Sequence, residues 1–416
     1  MAARHHQILI VGGGAAGITV AARLRTIEHD VPLDIAIIDP TESHYYQAAF
    51  TLVGGGAYRL EDTRRNEADL IPDNVTWIRD AVATFAPEAN TATLADGTVI
   101  SYSYLVVCPG LQINWSGIKG LKEYIGRYGV CSNYSPNTVE YTFEMMKTLK
   151  VGSKAVFTQA PMPIKCPGAP QKAAYLAADY LAKRGIREHC DVRFLTATPG
   201  IFGVPFYAKE LVKIAARHKI PVSYNHNLVE IDGRARKAIF AITAGEQQGQ
   251  QVTLDFDMLH VTPPQSAPDF VKNSPLANAT GFVDVHAKSL QHLKYKNVFS
   301  LGDAAGTANS KTAAAVRKQA PVVVRNLLHL IKDGAIEEAY DGYGACPLTT
   351  GYGKVLMAEF IYGGKPTPTL PLDPRKERYI NWWIKTTGLP LLYWDYMLKG
   401  RESFPEHNTT YVDPAA

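Results

Sequence analysis

The chain has 416 residues, 46% of them hydrophobic and 20% charged, with a formal net charge of +4. That balance is ordinary for folded domains, and the length suffices for two or three of them without disulfide staples. The mild positive charge is too weak to argue for nucleic acid and is compatible with an anionic membrane surface. Cys108, Cys131, Cys166, Cys190 and Cys346 are too few for a disulfide scaffold, so a functional pair among them points to redox chemistry. No signal-peptide pattern precedes the first apolar run, and no stretch of about 18 apolar residues suggests a transmembrane helix. The histidines show no metal-ligand spacing, and no metal site is expected.

Gln7 to Val11 reads as a buried parallel strand, followed by a glycine turn and helical spacing from Ile18 to Ile27. Leu33 to Ile38 is the next strand and ends at Asp39. Alternating Thr, Val and Ile between Val75 and Ile100 suggest a meander, and Tyr104 to Cys108 a further strand closed by Pro109-Gly110. A second βα block opens at Ser153 to Phe157, with helices over Gln171 to Arg184 and Lys209 to Arg217 and strands over Val192 to Thr196 and Phe256 to Val261. Asn297 to Leu301 leads through Gly302-Asp303 into an alanine-rich helix. From Pro347 the composition shifts toward Trp, Tyr and Pro.

Gly12-x-Gly14-Ala15-Ala16-Gly17 lies between the first strand and its helix. Gly12 allows the tight turn, Gly14 lets the backbone approach a pyrophosphate, and Gly17 lets helix and strand pack closely. The helix N-terminus then faces the phosphates. Asp39 follows by about 20 residues, where an acid accepts from the adenosine ribose. A glycine turn can also serve packing alone; the strand, helix and acid in sequence favour a nucleotide.

Val298-Phe299-Ser300-Leu301-Gly302-Asp303 resembles the second FAD motif of the two-dinucleotide-binding-domain flavoproteins, whose aspartate binds the ribityl chain. Tyr104 to Gly110 resembles their strand-to-glycine linking motif. These flavoproteins usually carry a second GxGxxG, which should fall near residue 160. Here Thr158 to Gln171 contains Pro161, Pro163 and Cys166 instead, and a proline offers no N–H to a phosphate. Nicotinamide is therefore not the expected electron donor, and a type II NADH dehydrogenase is disfavoured.

Closer still, Tyr45-Tyr46-Gln47 with Thr51 to Gly56, Ile164 to Lys172, Ser310 to Ala315 and Cys346 to Tyr352 resemble sulfide:quinone oxidoreductase, in particular its type II branch. Ala48 departs from the proline of many relatives, and Ala304 from the cysteine of some. The resemblance implies an α/β chain of two Rossmann-like, glutathione-reductase-like units with a C-terminal membrane-docking segment. The expected divisions are 1–112 plus 290–335 for FAD, 113–289 for the second unit and 336–416 for the tail.

The resemblance further implies that Cys166 and Cys346 are catalytic, bridged when oxidised either directly or through an extra sulfur. Cys166 is then the flavin-facing thiolate and Cys346 the persulfide carrier. FAD is held by Gly12, Gly14, Ala15, Ala16, Gly17, Asp39, Pro109, Gly110, Gly302, Asp303 and Lys311. Lys165, next to Cys166, is a candidate for lowering its pKa, against a plain solvated lysine. Cys131 is read as a small buried residue, and Cys108 and Cys190 as inert. Interleaved aromatic and basic residues from Tyr379 onward suit an interfacial helix, against packing on the protein's own core. Phe360, Tyr393 and Trp394 are candidate liners of a quinone channel. The expected partners are hydrogen sulfide, ubiquinone or menaquinone, a sulfane acceptor (sulfite, glutathione or another thiol), a membrane surface and a second copy of the chain. The expected location is peripheral on a bacterial inner membrane. The alternatives are the flavin subunit of a flavocytochrome c sulfide dehydrogenase and a persulfide carrier without turnover.

Overall fold

The computed structural model describes residues 4–27, 32–332 and 334–401. Ile8 to Val11 and Ile35 to Ile38 are unbroken apolar runs, which only a sheet covered on both faces can bury. They form the strands Arg4–Val11 and Ile35–Ile38, paired in parallel with Ile10 opposite Ile37. The sheet has seven strands. Val75–Ile78 pairs outside Ile35–Ile38, Val99–Val107 pairs on the other side of Arg4–Val11, and Val298–Ser300 joins Val99–Val107 in parallel. The expected meander is divided. Val75–Ile78 is a parallel outer strand, and only Val82–Ala86, Thr91–Leu94 and Val99–Val107 run antiparallel in succession.

The first helix, Ala15–Ile27, begins at Ala15, ahead of the expected Ile18. It packs against the long helix Ala313–Ile331, which is capped by Thr312 accepting from the Ala315 N–H. Gly17 makes the contact with the turn possible. A Cβ there would lie 1.9 Å from the Gly12 carbonyl oxygen.

The second unit repeats the pattern. A five-stranded parallel sheet runs Val130–Cys131, Met258–His260, Lys154–Gln159, Asp191–Thr196, Val222–Ser223. The unit's helices include Val139–Thr148, Ala169–Lys183 and Pro205–Arg217. The last starts earlier than its apolar spacing suggests, with Pro205 at its first turn. Three antiparallel strands, His226–Asp232, Lys237–Ile242 and Gln251–Asp255, flank the sheet. Ala267, Val271, Leu276, Phe282, Val283 and Val285 then pack into the first unit's core, so that unit resumes well before residue 290.

The compositional shift near Pro347 marks a hairpin, Gly344–Gly351 against Lys354–Ile361. Nearly every side chain of the first strand is buried, which hides the alternation that betrays a strand. Beyond it, Tyr379 to Lys399 forms a series of short helical turns. The Arg378 N–H donates to the Val355 carbonyl at 3.0 Å, and Asn381 Nδ2 donates to the same oxygen at 3.1 Å, holding this tail to the hairpin.

Gly17→Ala should destabilise by about 1–3 kcal/mol, since backbone must move to admit the methyl. A thermal melt, with flavin content measured alongside, should show both a lowered Tm and reduced cofactor.

Candidate active site

The glycine turn leaves room where a phosphate would come. Gly12 takes a φ of +108°, and a Cβ on it would lie 2.5 Å from the Cys108 carbonyl oxygen. Around Gly14, by contrast, no atom beyond its own neighbouring chain lies within 4 Å of the Cβ position. Pro109 closes against Gly12, and Gly110 turns the chain away with a φ of +78°. The Asp39 carboxylate accepts from the Gly13 N–H at 2.6 Å and from the Thr41 N–H at 2.8 Å. Gly302 reaches the same place from the other motif. A Cβ on it would lie 3.4 Å from that of Ala16, and its N–H donates to Gln319 at 2.8 Å. The two glycine motifs thus meet on one cradle. The open space at Gly14, and a buried carboxylate oxygen of Glu67 without a partner beside Gly13, fit an extended dinucleotide.

Cys166 and Cys346 come from different units and meet with their sulfurs 3.6 Å apart. A disulfide bond is roughly 2.05 Å long, so the pair stands open. Cys346 sits on the hairpin strand and is fully buried. Cys166 is partly exposed, in the turn before helix Ala169–Lys183, with a φ of +53°. A non-glycine residue held there stores about 1–3 kcal/mol. The turn is held by the Cys166 N–H donating to the Lys311 carbonyl at 2.9 Å and by its own carbonyl accepting from the Ala169 N–H at 2.8 Å. Gly168 makes the meeting possible, because a Cβ there would lie 2.6 Å from the Cys346 sulfur.

The two thiols titrate apart. The Cys346 S–H hydrogen bond holds the Cys166 pKa well below the ordinary thiol range, and Lys172 adds to this. Cys346, as that donor and in full burial, is pushed up. The surroundings thus favour the thiolate at Cys166 and the thiol at Cys346. Lys172 Nζ donates to the Cys166 sulfur at 3.1 Å. The thiolate raises the Lys172 pKa against the burial that lowers it. Lys385, from the tail, is 4% exposed, and burial lowers its pKa to about 7, with Lys172 pushing the same way and the two cysteines opposing.

Of the two readings weighed for Lys165, the contacts do not place its ammonium on the Cys166 sulfur. Its ammonium donates to Gln47 Oε1 at 2.5 Å, and its backbone N–H to Gln265 Oε1 at 2.9 Å. Lys172, one helical turn into the next helix, reaches the sulfur instead. Lys172 and Lys385 escaped the sequence reading. Lys172 lies six residues past Cys166 on a helix, a spacing that could have placed it; Lys385 had no comparable signal. Lys311 is buried, donates to the Ala305 carbonyl at 3.0 Å and has its pKa lowered to about 8 by burial, against the pull of Asp303. Cys131, Cys108 and Cys190 are buried, each held by a backbone carbonyl, with burial raising their pKa.

The three residues expected along a quinone channel are not brought together. Phe360 packs edge-on against Phe202 in the second unit's core. Tyr393 and Trp394 pack with Tyr46 and His44 in the first unit's core, and Arg65 lies over the Trp394 ring.

The pyridine nucleotide-disulphide oxidoreductase family matches residues 6–320. A sulfide:quinone oxidoreductase from Dictyostelium discoideum, named as mitochondrial, is 46% identical over 95% of this chain and 86% of its own length. The chain belongs to the sulfide:quinone oxidoreductase family. The mitochondrial mouse member is 42% identical over 96% of this chain and 88% of its own length. The solved sulfide:quinone oxidoreductase from Aquifex aeolicus shares the fold, with a TM-score of 0.77 at 22% identity, covering 96% of this chain and 92% of that one. Membership brings a flavin cofactor. The mitochondrial names of these relatives give the expected bacterial inner membrane no support, and a cytochrome-linked subunit or a carrier without turnover is not favoured. No helix among the described residues is long and apolar enough to cross a membrane.

Replacing Lys172 with Met should raise the pH midpoint of Cys166 alkylation in the reduced protein by about 1–3 units, since an adjacent cation favours the thiolate. Lys385 is charged only below about pH 7, so its help to the thiolate is present below that pH and lost above it. The wild-type alkylation profile should carry an inflection there that Lys385→Met removes.

Proposed function

We propose that this family member oxidises hydrogen sulfide at the Cys166–Cys346 pair and passes two electrons through FAD to a membrane quinone. The observation that carries the reading is the open pair itself, with its sulfurs 3.6 Å apart and Lys172 Nζ donating to that of Cys166. FAD, rather than a smaller flavin, suits a cradle built from two motifs: Gly12, Gly14, Ala15, Ala16, Gly17 and Asp39 for the adenosine end and pyrophosphate, Pro109 and Gly110 beside them, and Gly302, Asp303 and Lys311 toward the ribityl chain and ring.

The chemistry begins from the bridged pair. Hydrosulfide attacks one sulfur, the S–S bond breaks, and the products are a persulfide and a thiolate. We assign the persulfide to Cys346 and the thiolate to Cys166. Cys166 is the partly exposed residue of the pair, its N–H is tied to Lys311, and Asp303 feels its charge. Lys172 and Lys385 hold the anionic sulfur and attract the hydrosulfide anion. An acceptor such as sulfite, glutathione or another thiol takes the sulfane sulfur, leaving both cysteines reduced. The bridge re-forms as the pair gives up two electrons. A bound flavin supplies the two-electron acceptor beside Cys166 and the route onward to ubiquinone or menaquinone.

The tail suits a membrane surface. Tyr379, Ile380, Trp383, Leu391 and Tyr396 are exposed, and Trp383 is 52% exposed. Trp and Tyr favour the headgroup level, and short helical turns can lie there without spanning. Quinone would enter from this side. Phe360, Tyr393 and Trp394 could then line its path only as walls of separate packed clusters.

Anaerobic sulfide added to the purified protein should bleach the flavin absorbance, and a soluble quinone analogue should restore it. Cys166→Ser and Cys346→Ser should keep FAD and lose the bleaching. Full turnover in either variant removes the assignment. Trp383→Ala should weaken binding to lipid vesicles about tenfold, the effect of leaving one large apolar side chain out of the interface. Co-sedimentation with vesicles measures it.

A further inference from the structure

A second cluster of buried polar groups, outside the cysteine site, joins the glycine turn to the tail. Glu67 is 1% exposed. Its Oε2 lies 3.1 Å from His44 Nδ1, and His44 Nε2 lies 2.6 Å from the Tyr393 hydroxyl. With the Nδ1–H donated to Glu67, Nε2 is left to accept from Tyr393. Glu67 Oε1 has no hydrogen-bond partner. It is aimed at the nucleotide turn: a Cβ on Gly13 would lie 2.6 Å from it and 2.9 Å from that of Asp39. An unpaired buried oxygen costs about 1–3 kcal/mol, so one facing a ligand cradle marks a ligand contact.

The other end of the cluster sits in the tail. Tyr393 lies 4.7 Å from the Tyr46 ring. A few residues on, Met397–Lys399 packs on helix Ala15–Ile27, and Gly400 approaches so closely that a Cβ would lie 2.6 Å from the Ala22 backbone. The tail is therefore seated on the helix whose N-terminus forms the cradle.

We propose that Glu67 is a second acid of the FAD site, bonded to the dinucleotide through Oε1, and that His44 relays occupancy to Tyr393, so that FAD binding and seating of 389–399 favour each other. The proposal rests on the FAD reading above. A filled Oε1 fixes the carboxylate plane, which holds Oε2 on His44 and His44 on Tyr393. By linkage, whatever affinity FAD gives to seating, seating returns to FAD.

The test strips FAD from the full chain and titrates it back. Flavin fluorescence reports affinity, and amide hydrogen exchange reports the segment 389–399. In wild type, FAD should slow exchange there by about fivefold or more. Tyr393→Phe keeps the ring and lies off the cradle. It should weaken FAD binding by a similar factor and abolish the FAD-dependent slowing, as should Glu67→Gln. The double variant should bind FAD no worse than the weaker single variant. Wild-type FAD affinity in Tyr393→Phe, or unchanged slowing in that variant, overturns the proposal while leaving the FAD reading intact. A wild-type chain that takes up no FAD overturns both.

Discussion

The close approach of Cys166 and Cys346 is the constraint on which the rest of the structure depends. Two sulfurs 3.6 Å apart compete for one negative charge, and their surroundings favour it on Cys166 over Cys346. Cys166 has Lys172 and the first turn of a helix beside it. Cys346 has the apolar core of the second unit. That asymmetry needs a hairpin to deliver Cys346, a strained turn to present Cys166, and the missing side chain of Gly168 between them. Displacing any of these changes both the spacing of the sulfurs and their charge.

The second unit shows how a nucleotide fold can be turned to sulfur chemistry. Lys154–Gln159, its following turn and helix Ala169–Lys183 occupy the places where a dinucleotide fold cradles phosphate. The helix N-terminus retains its preference for an anion, which here favours ionisation of the Cys166 thiol. Pro161 and Pro163 remove two N–H groups that a phosphate would need. The parallel sheet and the helix positions are kept; only the ligand of the turn has changed.

Much of this was legible beforehand because its physics is local. Strand, glycine turn, helix and acid occur in order from Gln7 to Asp39, and apolar runs buried on both faces are visible as composition. Cys166 and Cys346 were found by resemblance, since nothing local in either segment announces a partner 180 residues away. Adjacency in sequence points to Lys165, whereas the sulfur is tuned by the Cys346 S–H, a helical neighbour and the tail. The hairpin stayed hidden because burial on both faces erases its alternation. Glu67 and His44 were missed because each is an ordinary polar residue until the tail folds back over it.

The tail has two sides with different tasks. One buries Lys385 near the cysteines; the other exposes Tyr379, Ile380 and Trp383. Electrostatics at the sulfurs and contact with the surroundings are therefore carried by the same few turns of chain. On the membrane docking proposed above, solubilisation is not a neutral step in handling the protein. A detergent that coats or lifts these turns would also alter the charge around the thiolate. Preparations differing only in their amphiphile could differ in sulfur reactivity with every active-site residue in place.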